Sequence, residues 1–268
     1  MFHLKDKVVV FTGGAGVLGS AMVKGLANAG AKVGILSRTE SNIQKVVNEI
    51  TAMGGEALSL VADVLKEDQL MEAKNKVLKA WGRIDILVNA AGGNMKGATI
   101  MPDQNIFSLN MEDFTKVTDL NLKGTVLPTM VFAKVMAEQQ KGCIINISSM
   151  AAQQAITRVV GYSASKAAID NFTKWMAVEM AHKFGEGIRV NAIAPGFFIA
   201  EQNRRLLTNE DGSLTARGQT IINETPVKRF GEPEELVSTL LWLCSDASSF
   251  VTGIIVPVDG GFSAFSGV

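Results

Sequence analysis

Short apolar runs alternate along the chain with longer segments in which apolar residues recur at helical spacing. The runs are rich in Val and Ile and largely apolar throughout, which is typical of strands buried on both faces of a parallel sheet. The predicted strands span residues 7–11, 32–36, 57–62, 84–88, 143–147, 188–193 and 254–258. The predicted helices span residues 17–29, 42–53, 67–81, 161–184 and 233–244.

This alternation predicts one Rossmann-type, doubly wound α/β domain over residues 1–268, with a mostly parallel seven-stranded sheet. No linker, repeat or low-complexity tract divides the chain. Two segments, 93–110 and 197–226, follow predicted strands without joining the alternation. Because ligands bind beyond the carboxyl ends of parallel strands, we expect residues 197–226 to form a substrate lid.

Composition excludes several classes of function. The chain has 268 residues, enough to bury a core without a metal or disulfide framework. Its 26 Lys and Arg balance 26 Asp and Glu, so the basic excess of a nucleic-acid binder is missing. Two Cys and two His, none clustered, predict no metal site. Without a signal-peptide pattern or a membrane-length apolar run, we expect a cytoplasmic protein.

The first predicted strand runs into a glycine-rich turn that a helix follows. Glycines let backbone N–H groups approach a pyrophosphate, and the positive end of the helix dipole stabilises its charge. The turn therefore predicts a dinucleotide site. Its contacts are expected from Gly13, Gly16, Val17 and Leu18.

The ends of three further strands fit the same ligand. Ser37 and Arg38 close the second strand, where the adenosine ribose of a dinucleotide lies. A hydroxyl and a guanidinium suit a 2′-phosphate, so NADP is favoured and NAD is the alternative. Asp63 and Val64 close the third strand, beside the expected adenine. The fourth ends in small residues that let a flat ring pass, namely Asn89, Ala90, Ala91 and Gly92.

The only tyrosine of the chain, Tyr162, precedes Lys166 by four residues on a predicted helix, which puts both on one face. A nearby ammonium is expected to lower the tyrosine pKa and suit it to exchange a proton with an alcohol or ketone. The Ser149 hydroxyl is placed to hold the substrate oxygen. Asn121 is placed to anchor a water that leads from Lys166 to solvent.

Together these motifs resemble the short-chain dehydrogenase/reductase family over residues 4–261. Pro195 and Gly196 resemble the family's turn that meets the nicotinamide carboxamide. The resemblance implies an Asn–Ser–Tyr–Lys catalytic tetrad, a nicotinamide cofactor and a homotetramer.

The chain departs from the family pattern in two places. The family's first loop reads T-G-x-x-x-G-x-G, and Val17 stands where the middle glycine belongs. After Pro195 and Gly196 many members carry a threonine, whereas this chain continues Phe197-Phe198-Ile199-Ala200. We therefore expect an altered loop path and a lid that reaches the cofactor differently.

Three segments, 145–150, 191–204 and 261–268, resemble the D-mannonate oxidoreductase (fructuronate reductase) branch of the family. That resemblance implies a small-molecule keto or hydroxy sugar acid as substrate. Its carboxylate would be bound by Arg204, with Arg158 and Arg205 as fallbacks, since a guanidinium fork matches a carboxylate. Asn94 and Asn203 are placed to bond its hydroxyls.

Other functions fit parts of the sequence. A gluconate- or polyol-type dehydrogenase and a 3-oxoacyl reductase share the same machinery. A non-catalytic NADP-binding redox sensor has no need for Ser149, Tyr162 and Lys166 together. A sugar-nucleotide epimerase shares the Tyr–Lys pair but is expected to carry a larger C-terminal substrate region.

Overall fold

The computed structural model describes residues 2–199, 204 and 206–267. These residues form one parallel sheet of seven strands in the order β3-β2-β1-β4-β5-β6-β7. The strands are β1 Val8–Thr12, β2 Lys32–Ser37, β3 Glu56–Val61, β4 Ile86–Asn89, β5 Gly142–Ile147, β6 Ile188–Pro195 and β7 Ile255–Val258. The predicted single α/β domain is confirmed, and the sheet is parallel throughout.

Helices cover both faces of this sheet. They are α1 Val17–Asn28, α2 Glu40–Ala52, α3 Glu67–Trp81, α4 Met111–Thr118, α5 Gly124–Gln139, α6 Val160–Phe184, α7 Ala216–Glu224 and α8 Glu235–Cys244. Within the described residues, no helix combines the length and the apolar character that crossing a membrane requires.

The first strand shows why the strands are apolar throughout. All five residues of β1 are buried. Successive side chains of a strand point to opposite faces, so Val9 and Phe11 join the core under α1, α2 and α8. Val8 and Val10 join the second core, under α3, α5 and α6. A polar residue at either set of positions would be buried without water.

Helices α4 and α5 were not predicted from the sequence. A π-helical turn, Asp119–Lys123, joins them into one continuous rod. Helix α5 is buried around most of its circumference and contains Pro128, so it has neither a polar face nor an uninterrupted helical pattern. A search for amphipathic spacing therefore does not detect this helix.

Helix α7 lies inside the segment 197–226, for which no helix was predicted either. It begins after Thr215, whose Oγ1 accepts a hydrogen bond from the Gly218 N–H at 3.0 Å. Leu207 and Ile221 of this segment pack with Phe230, which lies just beyond it, into a small separate core.

The strand order creates a crevice at one edge of the sheet. From β1 the chain winds outward through β2 and β3, and from β4 it winds the opposite way to β7. Connections therefore diverge above the carboxyl ends of β1 and β4, which is where doubly wound sheets bind their ligands.

Candidate active site

A cavity of about 410 Å³ occupies this crevice. It is lined by most of the residues that the sequence assigned to a dinucleotide and to catalysis. These are Gly13, Gly16, Val17, Leu18, Ser37, Arg38, Asp63, Val64, Ala90, Ala91, Gly92, Ser149, Tyr162, Lys166, Pro195 and Gly196. We call it the nucleotide cavity.

The glycine turn brings the ends of β1 and β4 into close contact. Gly13 has φ +71°, and a Cβ there would lie 2.9 Å from the carbonyl carbon of Ala90. Gly16 precedes α1 in an extended conformation, and its N–H donates to the Gly13 carbonyl at 3.0 Å. Val17 begins α1 and stays 40% exposed toward the cavity. The turn therefore accommodates valine at the family's glycine position.

A dinucleotide fits these residues. Without a side chain at Gly13, backbone can approach a pyrophosphate closely, and α1 points its N-terminus at the cavity. The Gly196 N–H donates to the Val258 carbonyl at 2.9 Å, which fixes the turn expected to meet the nicotinamide. Asp63 accepts from the Leu65 N–H at 2.9 Å and so shapes the wall expected beside the adenine.

Thr12 holds the two strand ends together. Its buried Oγ1 accepts hydrogen bonds from the N–H groups of Ala90, at 3.0 Å, and Ala91, at 3.1 Å. Sequence reasoning used Thr12 only as part of a motif. A polar residue at the last position of a buried strand is unusual, and this was the signal that could have identified Thr12.

Asn89 corrects one expectation, because its side chain lies behind the nucleotide cavity. Its Nδ2 donates to Thr129 Oγ1 and to Asn146 Oδ1, both at 2.9 Å. Asn146 in turn donates to Thr173 Oγ1 at 2.8 Å. This buried network joins β4 and β5 to α5 and α6, so the side chain of Asn89 positions the residues that follow it.

Asn121 sits in the π-helical turn and is fully buried. Its Nδ2 donates to the carbonyls of Gly93, at 2.7 Å, and Val117, at 2.8 Å, while its Oδ1 accepts from the Gly93 N–H at 3.1 Å. A Cβ at Gly92 would lie 2.6 Å from that Oδ1. Asn121 therefore fixes the turn after β4. Its expected role as the anchor of a water stays a prediction.

Ser149 and Tyr162 meet on the wall of the nucleotide cavity. Ser149 follows β5, and its Oγ accepts from the Ala151 N–H at 3.2 Å. Burial raises the pKa of Tyr162, and a hydrogen bond with Ser149 acts in the opposite sense as a smaller effect. The expectation that the pKa of Tyr162 would be lowered was wrong, because desolvation raises it.

Lys166 lies beside Tyr162, with its Nζ 5.5 Å from the ring centroid. The Nζ donates to the Ile147 carbonyl at 2.6 Å, and the side chain is buried. Burial lowers the pKa of Lys166 to about 8, and the Asp170 carboxylate opposes this as the smaller effect. The ammonium therefore titrates closer to neutral pH than that of an exposed lysine.

Asp170 was missed from the sequence. It lies one helical turn beyond Lys166 on α6 and accepts a hydrogen bond from the Ser148 hydroxyl. Burial raises the pKa of Asp170, and the Ser148 hydrogen bond is the largest of the opposing effects. The spacing of four residues from Lys166 was a signal that could have identified it.

The substrate candidates are dispersed. Arg158 is half-buried and lines a separate cavity beside the first one. Asn94 is exposed, and its Nδ2 donates to Thr99 Oγ1 at 2.8 Å, a local contact. Arg204 is exposed and lines neither of these two cavities. Asn203 and Arg205 lie outside the described residues.

The donor groups of the site are hydroxyls, amides, ammonium and guanidinium. In the part of the chain that the structure describes, no three His, Cys, Asp or Glu side chains gather where they could hold a metal ion. The arrangement is suited to holding a carbonyl oxygen between Ser149 and Tyr162 and to exchanging a proton with it.

Comparisons with known proteins agree with this chemistry. A family profile described as enoyl-(acyl carrier protein) reductase matches residues 14–263. The chain is 49% identical to an uncharacterized oxidoreductase, UxuB, of Bacillus subtilis, covering 99% of this chain and 98% of that one. It is 36% identical to the 3-oxoacyl-[acyl-carrier-protein] reductase FabG of Thermotoga maritima, covering 97% and 98%.

A solved structure is similar over the whole fold. It is that of a candidate D-mannonate oxidoreductase from Haemophilus influenza with bound NAD. The two chains are 42% identical, with a TM-score of 0.92 and coverage of 99% of this chain and 98% of that one. The glycine turn, the Ser–Tyr–Lys cluster and these similarities show that the chain belongs to the short-chain dehydrogenase/reductase family of NAD(P)-dependent oxidoreductases acting on CH–OH groups.

Proposed function

We propose that the protein reduces the ketone of a keto-sugar acid, D-fructuronate, to the secondary alcohol D-mannonate, with NADPH as the preferred cofactor. The observation that carries the reductase chemistry is the contact of Ser149 with Tyr162 beside a buried Lys166. The similarity to a candidate D-mannonate oxidoreductase supports the sugar acid.

Each residue of the cluster has a distinct task in this reaction. A nicotinamide held in the nucleotide cavity would supply the hydride that the carbonyl carbon accepts. Tyr162 donates its phenolic proton to the carbonyl oxygen, so that C=O becomes CH–OH. Its raised pKa keeps it protonated at neutral pH, the state that reduction needs. Ser149 donates a hydrogen bond to the same oxygen, which fixes the substrate against Tyr162.

Lys166 and Asn121 support Tyr162 and Ser149 without contacting the substrate oxygen in this proposal. The Lys166 ammonium stabilises the phenolate that remains after proton transfer, since an opposite charge nearby favours the ionised form. Asn121 holds the turn at Gly93 and so the small residues that face the nicotinamide. Asp170 adds a negative charge that keeps the Lys166 ammonium protonated.

The preference for NADPH rests on the end of β2. Arg38 is exposed at the rim of the nucleotide cavity, next to the half-buried Ser37. A carboxylate there would repel a 2′-phosphate, whereas a guanidinium forms charge-assisted hydrogen bonds with it.

A substrate screen tests the proposed function. Purified protein would be offered D-fructuronate, keto-gluconates, fructose and a 3-oxoacyl thioester, each with NADPH and with NADH, while cofactor absorbance is followed. We expect D-fructuronate with NADPH to give the highest kcat/KM, far above fructose. Rapid reduction of the acyl thioester with hexuronates untouched would reject the sugar acid and favour the FabG-like alternative.

The proton donor is tested by Tyr162→Phe, which keeps the ring and removes the hydroxyl. General acid catalysis contributes about 10²–10⁴-fold, so kcat should fall by at least that factor while NADPH binding, measured by fluorescence, is retained. Ser163→Ala is the matched control, because that neighbouring buried hydroxyl has no hydrogen-bond partner among the described residues. If the Phe variant kept more than about a tenth of the turnover, another group would be the acid.

The role of Asp170 is tested through the pH profile. Loss of the Lys166 proton near pH 8 should lower kcat for reduction on the alkaline side. Because Asp170 raises the pKa of Lys166, Asp170→Asn should move this alkaline limb to lower pH, while the amide oxygen can still accept from Ser148. Glu186→Gln removes an exposed charge just beyond α6 and should leave the limb in place. An unshifted profile in Asp170→Asn would contradict this coupling.

Cofactor preference is tested by Arg38→Ala. A charge-assisted hydrogen bond contributes about 1.5–3 kcal/mol, so the Kd for NADPH should rise about 10–100-fold and the Kd for NADH should hardly change. Fluorescence titration of both reduced cofactors measures this without turnover. If the Kd values for both cofactors rose equally, or if neither rose, Arg38 would not be the residue that binds the 2′-phosphate.

A further inference from the structure

A second cavity, of about 370 Å³, opens beside the nucleotide cavity, and Phe197 lines both. It lies where helix α7 faces the loop before α6. Its remaining walls include Thr157 and Arg158 from that loop and Arg217 and Glu224 from α7. We call it the side cavity. Phe262, which contacts Phe197 edge-on with ring centroids 5.1 Å apart, also lines it.

Two guanidinium groups share this small space. Burial lowers the pKa of Arg217, and the positive charge of Arg158 lowers it further. Within the described residues, neither arginine forms an ion pair with a carboxylate, although Glu224 lies on the same wall. Two half-buried like charges that have no carboxylate partner among the described residues cost free energy, which a bound anion would offset.

Local backbone preferences do not explain why an arginine stands at either position. Arg158 has φ +79°, a conformation that few residues other than glycine adopt, and its carbonyl accepts from the Ile100 N–H at 3.0 Å. Arg217 lies in the first turn of α7, where the helix dipole disfavours a cation. Its Nη1 contacts Thr157 Oγ1 at 3.4 Å, across the side cavity from its own helix.

We propose that Arg158 and Arg217 form the site that binds the carboxylate of the substrate. This inference rests on the proposed function, in which the substrate is a keto-sugar acid. Phe197 forms a wall common to both cavities, so one substrate can place its ketone at Ser149 and Tyr162 and its carboxylate in the side cavity. Paired guanidinium forks match the planar carboxylate and discriminate against a neutral terminus.

The site also differs from the one that the sequence favoured. Arg204 was the first choice there, but its side chain is exposed and lines neither cavity. Arg217 was not considered, because nothing in the sequence shows that α7 turns its first residues toward the loop at Arg158.

The test compares Arg158→Ala, Arg217→Ala and Arg217→Lys on D-fructuronate and on fructose. Loss of a charge-assisted bond should lower kcat/KM for D-fructuronate about 10–100-fold in each Ala variant. Arg217→Lys should lose less, because charge remains while the fork is lost. Reduction of fructose and the Kd for NADPH should not change. Lys79→Ala, which removes an exposed cation at the opposite end of the sheet, is the matched control.

A binding measurement separates this inference from the proposed function. D-gluconate should raise the Tm of the NADPH-bound wild-type protein, and the Arg158→Ala/Arg217→Ala double variant should lose this shift. If no keto-sugar acid were turned over, the proposed function would be wrong. The Tm shift with D-gluconate would still test whether Arg158 and Arg217 bind a carboxylate.

Three outcomes would overturn the carboxylate site. The first is an undiminished gluconate shift in the double variant, and the second is no shift in the wild-type protein. The third is loss of D-fructuronate preference in Arg204→Ala with both Arg158→Ala and Arg217→Ala unaffected, which would place the carboxylate where the sequence first put it.

Discussion

The close approach of β1 and β4 at their carboxyl ends is the constraint on which the site depends. Two strands whose connections run in opposite directions must still touch where the nucleotide cavity begins. Gly13 permits the contact because any Cβ would collide with Ala90, and Thr12 Oγ1 closes it by accepting two N–H groups of the next strand end. If these two residues are changed, the small residues at the end of β4 lose their position, and so does the turn that Asn121 holds from the other side.

Burial has opposite consequences for the two central titratable groups. It makes Tyr162 a weaker acid and Lys166 a stronger one, so both neutral forms become easier to reach. Lys166 keeps its proton near neutral pH through the Ile147 carbonyl and the Asp170 carboxylate. The protonation of this cluster therefore depends on groups of β5 and α6 as well as on Ser149, Tyr162 and Lys166.

Much of the fold and of the lining of the nucleotide cavity follows from the sequence, because both depend on local patterns. Strands buried on two faces are apolar throughout, and their carboxyl ends must meet at one edge, which brings Arg38, Asp63 and Ser149 to one cavity. The predictions that failed concern features set by tertiary packing, which local sequence patterns do not reveal. Helix α5 has no polar face, the side chain of Asn89 turns inward, and the pKa of Tyr162 is set by burial. Arg217 was missed for the same reason.

The π-helical turn between α4 and α5 fixes the length of the chain at this point. One residue of an α-helix corresponds to about 100° of rotation, so deleting any residue of the turn would swing α4 around relative to α5 by about that angle. The buried Val117 and the amide of Asn121 would then face different neighbours, and the contacts with Gly93 would break. Surface loops tolerate insertions and deletions. Within residues 119–123, however, such a change would disrupt the site even if every side chain that lines it were retained.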